Sequence, residues 1–79
     1  MILVKAYADL RKYLNVDNVG ESVEFDNKDE KIKIEKIAIA LNIPFNEISI
    51  ILINGEHATF DDYAQNGDTV VFFSPVDGG

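Results

Sequence analysis

The sequence predicts an α+β fold, a mixed sheet of four to five strands packed on one main helix. Three observations predict it. Apolar residues alternate over Ile2–Ala8 and again over Thr69–Phe73, as they do in strands with one buried side. Between them, the stretch from Ile34 to Leu41 changes to a helical period. Asn54-Gly55 and Asn66-Gly67 then separate the remaining apolar runs with turn chemistry. The chain has 79 residues, enough for one domain, with no Cys and a single His. A domain this small buries only about 60% of its unfolded surface. Disulfides and the usual metal ligands are therefore unavailable, and packing alone must hold the core.

The first strand carries Ile2, Val4 and Ala6 on one face and Leu3, Lys5 and Tyr7 on the other. Leu10, Tyr13 and Leu14 are spaced for one helical turn, and Asn15-Val16-Asp17-Asn18 supplies the connection to a second strand over Val19–Phe25. Those two strands form a hairpin with a long loop. The charge run from Asp26 to Lys31 lacks the glycine and ligand spacing of a calcium loop and is read as a solvated connector. Ile34, Ile37, Ala38 and Leu41 make the apolar stripe of the main helix; Asn42 follows its end and Pro44 prevents continuation. Ile48–Ile53 is nearly continuous β-branched sequence, predicting a strand buried on both faces in the middle of the sheet. After the Asn54-Gly55 turn, His57 falls on the surface, and with no second His or Cys it is no metal ligand. Asp61-Asp62-Tyr63 reads as a short helical turn with solvated carboxylates as its cap and Tyr63 folded inward. Thr69–Phe73 is the last strand. It sets Val70 and Phe72 on one face and Val71 and Phe73 on the other, so that a sheet covered by one helix leaves part of one pair in solvent. Pro75 ends it.

Residues 1–73 thus form the domain, and 74–79 a flexible tail, Ser74-Pro75-Val76-Asp77-Gly78-Gly79. Fully extended, those residues reach about 20 Å. A frayed, solvated end and a tail built to enter narrow places are both compatible with two glycines alone. The net charge of -7 argues against nucleic acid, which requires clustered Lys and Arg. It suits a basic protein partner or simple solubility. No apolar run approaches the length of a membrane span and no signal peptide is visible, so a cytoplasmic protein without membrane contact is expected.

Beyond topology, a set of short motifs resembles one family. Leu52-Ile53-Asn54-Gly55-Glu56, Asp61, Asn66-Gly67-Asp68, Val70, Phe73, Pro75-Val76 and Gly78-Gly79 occur in the order found in the sulfur-carrier family. That family includes the small subunit of molybdopterin synthase and the thiamine sulfur carrier. Val4-Lys5-Ala6-Tyr7-Ala8-Asp9-Leu10-Arg11 is similar to the first strand and turn of the molybdopterin branch. The resemblance spans the whole chain and implies a β-grasp, or ubiquitin-like, fold. Three positions depart from the pattern. Lys33 stands where Thr or Ser usually caps the helix, Ser74 replaces the first of two prolines, and Asp77 replaces a small residue.

The resemblance also implies a chemistry. ATP, used by an E1-like adenylating enzyme, converts the Gly79 carboxylate into an acyl-adenylate. Sulfur from a desulfurase- or rhodanese-type donor then leaves a C-terminal thiocarboxylate. The large catalytic subunit of molybdopterin synthase receives it. Gly78 supplies clearance in a narrow tunnel, and Val71, Phe73, Pro75 and Val76 are the expected partner-binding residues, although each Phe is equally suited to the core. The chain offers no nucleophile–base pair, phosphate loop or metal cluster, so it binds no cofactor and is a co-substrate for its partners' catalysis. Thiamine-thiazole sulfur transfer, and a ubiquitin-like adaptor or modifier that carries no sulfur, are the alternatives.

Overall fold

The structure, a computed structural model, describes residues 1–14 and 22–75. Its strands are β1 (Ile2–Tyr7), β2 (Ser22–Phe25), β3 (Lys31–Lys33), β4 (Ile50–Ile53), β5 (Glu56–Ala58), β6 (Tyr63–Gln65) and β7 (Thr69–Phe73). The helix α1 spans Ile34–Ala40, and 3-10 turns occupy Ala8–Tyr13 and Phe45–Glu47. Five strands form the main sheet in the order β2-β1-β7-β4-β5, and β3 pairs with β6 in a small second sheet. The β1–β7 pair is parallel; β1–β2, β4–β5 and β4–β7 are antiparallel. A mixed five-stranded sheet with one helix is the β-grasp, as expected.

The core lies between the sheet and α1. Ile2, Val4 and Ala6 of β1 and Val70 and Phe72 of β7 are fully buried, against Ile34, Ile37 and Ala38 of the helix. Leu10 and Leu14 close one end of it. The apolar stripe of α1 therefore packs as its spacing requires, while Ile39, off the stripe, is exposed.

The helix ends show how the sequence manages unusual caps. At the C-terminus, Asn42 takes a φ of 60°. Its N–H donates to the Ile39 carbonyl at 3.0 Å, and the Ile43 N–H donates to the Ala38 carbonyl at 2.9 Å. These two bonds form a Schellman motif, with buried Ile43 as its apolar closure and Pro44 after it. At the N-terminus, Lys33 makes no capping bond from its side chain. Two backbone carbonyls replace it: Asp62 accepts from the Ile34 N–H at 2.9 Å and Phe60 from the Glu35 N–H at 3.2 Å. Orphan amides of the first turn are thus satisfied by a distant loop.

Four expectations need correction. First, β4 is not the middle strand; β7 is, flanked by β1 and β4. Ile48 and Ser49 precede β4, Ile50 is 41% exposed, and of the strand only Ile51 is buried. Its continuous apolar run arises because Ile51 and Ile53 face the helix while Ile50 and Leu52 extend an apolar surface on the other side. Second, the end of the charge run is structured: Lys31–Lys33 is β3, and Asn27 is buried, donating to the Asp29 carbonyl at 2.9 Å. Third, residues 59–62 form a turn, closed by the Asp62 N–H to the Thr59 carbonyl and by the Asp62 carboxylate on the Thr59 N–H, with no helix. Fourth, Tyr63 points outward at 50% exposure. As part of β6 it alternates with Ala64, which takes the inward position. The expected second strand is described only over Ser22–Phe25; 19–21 and the 15–18 connection lie outside the described residues.

The two turn dipeptides are joined to each other. Asn54 and Gly55 have φ of 52° and 86°, the left-handed pair of a tight hairpin turn, and Gly67 has 98°. A Cβ on either glycine would meet nothing within 4 Å, so backbone conformation selects glycine here. The Asn54 amide donates to an Asp68 carboxylate oxygen at 2.9 Å and its carbonyl oxygen accepts from the Thr69 N–H at 2.9 Å. The other Asp68 oxygen accepts from the Gln65 N–H at 2.9 Å. This lock fixes where β7 begins relative to β4.

Asn54→Gly keeps the turn conformation and deletes both side-chain bonds. It should cost about 1–2 kcal/mol, and Asn54→Ala about 1 kcal/mol more from left-handed strain. Denaturant melts separate the two contributions; a glycine variant as stable as the parent would show the lock to be idle. A second expectation concerns pH. Tyr13 donates to the Glu47 carboxylate at 2.9 Å, which raises the phenol's pKa above its ordinary value. The neutral phenol is the form the fold favours, so this contribution is present below the unfolded pKa and disappears as pH climbs through the folded one. Tyr13→Phe should therefore be less stable than the parent at neutral pH and lose that deficit above pH about 10.

Candidate functional site

Among the described residues no α-helix lies on the face of the main sheet opposite α1, and strand register specifies what that face displays. One row across the strands reads Ser22–Lys5–Val71–Leu52–His57. A second, toward the end of β7, reads Tyr7–Phe73–Ile50, and a third, toward its start, Glu24–Leu3–Thr69. Leu3 and Ile50 are exposed, while Tyr7, Leu52, Val71 and Phe73 are half-buried with no helix above them. The Tyr7 and Phe73 rings stack at 5.0 Å between centroids with 13° between planes. Their stack turns the rings' faces toward each other and leaves both residues half-buried.

That aromatic row is where β7 ends. The Phe73 carbonyl accepts from the Ser49 N–H at 2.7 Å, the last described bond before the chain leaves the sheet. Ser74, the first residue of the expected tail, is buried, and Pro75 is exposed. Val76, Asp77, Gly78 and Gly79 lie outside the described residues. Of the expected partner-binding residues, Val71 and Phe73 therefore fall on the open face, and Pro75 follows it by two residues. Val70 and Phe72, their neighbours in sequence, are wholly in the core.

Leu3, Tyr7, Ile50 and Leu52 complete this surface, although sequence reasoning did not assign them to docking. For β1 the signal was present, because the same alternation that buries Val4 and Ala6 turns Leu3 and Tyr7 out. For β4 it was masked by the unbroken apolar run. His57 is exposed on β5 at the far end of the central row. Asp61 and Asp62 are exposed. Among the described residues no group of three or more His, Cys, Asp or Glu is placed to hold a metal ion. Among the same residues no helix is long and apolar enough to cross a membrane.

Comparison with known proteins bears on this arrangement. The crystal structure of SAMP1 from Haloferax volcanii superposes with a TM-score of 0.70 at 22% identity, covering 99% of this chain and 98% of that one. At that identity the likeness concerns the fold. A comparison with curated proteins gives no match. The family model described as Mut7-C ubiquitin matches residues 1–77.

The two faces of β7 predict opposite outcomes for adjacent phenylalanines. Phe72→Ala opens the core and should cost about 3–5 kcal/mol, a large part of a total near 5–15 kcal/mol. Phe73→Ala loses a half-buried ring and its stack with Tyr7 and should cost about 1–2 kcal/mol. Thermal melts of the two variants test the assignment, which equal losses would overturn.

Proposed function

The chain belongs to the Mut7-C ubiquitin family, and we propose that within it this ubiquitin-like protein is a sulfur carrier whose Gly79 carboxyl is the reacting group. The supporting observation is the path of β7. The strand runs along the open apolar face, and in sequence Phe73, Ser74 and Pro75 lead on to Gly78-Gly79. A partner that covers Val71, Phe73 and their neighbours is thereby positioned to receive the tail.

The proposed cycle divides labour between this chain and its partners in the cytoplasm. A carboxylate oxygen is a poor leaving group, so an E1-like adenylating enzyme first transfers AMP from ATP to the Gly79 carboxylate and releases pyrophosphate. The outer sulfur of a persulfide on a desulfurase- or rhodanese-type donor then displaces AMP to give an acyl disulfide, and a second thiol of the partners attacks that disulfide, leaving the thiocarboxylate on Gly79 and a disulfide on the partner side. In the finer form of the proposal the acceptor is the large catalytic subunit of molybdopterin synthase, where the sulfur enters a pterin precursor; the thiamine-thiazole pathway is the alternative acceptor. This chain contributes docking area from Val71, Phe73, Pro75 and Val76, reach from its tail, and clearance at Gly78, where any side chain would collide with a tunnel sized for backbone.

A second reading has an observation of its own. The family match ends at residue 77 and does not include Gly78 or Gly79, which favours a ubiquitin-like interaction domain that uses the sheet face alone. Intact mass of protein isolated from cells separates the two readings. A thiocarboxylate carries the mass increase of one oxygen replaced by sulfur, and an interaction domain carries none.

For the sulfur-carrier reading, Gly78→Val should leave the fold intact, since residue 78 comes after the last strand in sequence, and should abolish ATP–pyrophosphate exchange by the matching adenylating enzyme. Deleting Gly79 should do the same. Exchange at the parent rate by either variant would rule the proposal out.

A further inference from the structure

We propose that Lys5 is the specificity-determining residue of the open sheet face, and that the partner docking there presents a carboxylate to its ammonium at the border of an apolar contact. The inference rests on the docking half of the reading above and adds the chemistry of the partner's surface.

Register makes Lys5 the one cation among the apolar groups of the face. Along β1 it stands between Leu3 and Tyr7; across the sheet it lies between Val71 and the small Ser22 of the edge strand β2. It is half-buried, so its stem lies on its neighbours while the ammonium reaches outward. Among the described residues the ion pair is Lys33–Glu35, and Lys5 has none. The carboxylate at the register positions of this face is Glu24, opposite Leu3 and hence diagonal to Lys5. Diagonal positions are about 7–8 Å apart, within reach of long side chains, yet among the described residues Lys5 and Glu24 form no ion pair.

Lys5 stands against the charge of the whole chain. The protein carries fourteen acidic residues against seven Lys and Arg, while on the open face register places Lys5 and Glu24 in different rows. Salt confines the influence of remote charges to about 8 Å under physiological conditions, so the charge nearest a contact governs it. Net charge alone suited a basic partner or simple solubility; Lys5 calls for a carboxylate opposite it.

Desolvation decides the outcome. A partner seated on Tyr7, Val71, Phe73, Leu52 and Ile50 brings its rim over Lys5, because Lys5 is one strand in from the β2 edge. Interfaces have this plan, an apolar centre with a polar border. An apolar or basic group over Lys5 would strip water from an ammonium without replacing its hydrogen bonds, whereas a carboxylate restores them. Lys5 thereby admits one class of surface and rejects others.

Two measurements test this. In ATP–pyrophosphate exchange with the adenylating enzyme, Lys5→Met should raise the KM for this protein severalfold and Lys5→Glu by about tenfold or more, with kcat unchanged. Added salt should erode the advantage of the parent over Lys5→Met. Circular dichroism and thermal melts verify that both variants fold. An unchanged KM for Lys5→Glu, while Gly78→Val still abolishes exchange, overturns the Lys5 proposal and leaves the carrier reading standing. The second measurement needs no adenylation. Two short leucine- and phenylalanine-containing peptides, identical except for a central Glu or a central Lys, are titrated into the labelled protein and followed by amide chemical shifts. The Glu peptide should shift Lys5, Val71 and Phe73, with the response lost in Lys5→Glu. Equal responses to both peptides, or none at those amides, overturn the proposal whatever the fate of the sulfur-carrier reading.

Discussion

Everything in this molecule depends on β7 serving two surfaces at once. As the central strand it pairs with β1 on one side and β4 on the other, so neither of its edges is available and only its faces carry information. The inward residues, Val70 and Phe72, tie the sheet to the helix; the outward ones, Val71 and Phe73, form the middle of the open face. A slip of one residue in register would exchange the two sets, exposing Phe72 and burying Phe73. The Asn54–Asp68–Thr69 lock stands at the start of this strand, where such a slip would begin.

The same economy governs the rest of the chain. With no disulfide available, and a core of modest size, non-local backbone bonds take over tasks that side chains often perform. The first turn of α1 is satisfied by carbonyls of residues 60 and 62, and the N–H of Gly67 donates to the Met1 carbonyl at 2.8 Å. Each of these bonds links segments far apart in sequence. The parallel β1–β7 pair requires the whole intervening chain to be laid down as its crossover, so folding must close a large loop before that pairing contributes.

Local chemistry was legible in the sequence wherever one periodicity or one dipeptide carried it. The alternation in β1 and β7, the stripe Ile34–Ile37–Ala38, the cap at Asn42 and the turn at Asn54-Gly55 all read directly. What did not read were features settled by pairing partners. β3 was hidden because Lys31, Ile32 and Lys33 look like the end of a charge run until Tyr63–Gln65 is placed beside them. Tyr63 reads as inward when 61–63 is taken for a helical turn; as part of β6 it turns outward, and Lys31 and Lys33 lie over its exposed ring at 5.1 and 5.9 Å. The status of Ile48–Ile53 as central or penultimate depends on strand order, which no local window contains. For the candidate site, Val71 and Phe73 could be named from alternation alone, but the apolar neighbours that make them a surface come from two other segments, β1 and β4. The aromatic pair Phe45–Phe60, with centroids 4.7 Å apart, belongs to the same class of long-range fact.

Parallel pairing of β1 and β7 also gives the molecule a direction. Both strands begin at one end of the sheet, where Met1 meets the 66–68 turn, and finish at the other, where Tyr7 stacks on Phe73. At about 3.3 Å per residue, the start of β1 and the exit beyond β7 are some 20 Å apart. The two ends of the sheet are therefore independently addressable. A dye, tag or fused domain attached ahead of β1 would sit by the 66–68 turn, about 20 Å from the Tyr7–Phe73 stack, and would leave that stack unobstructed.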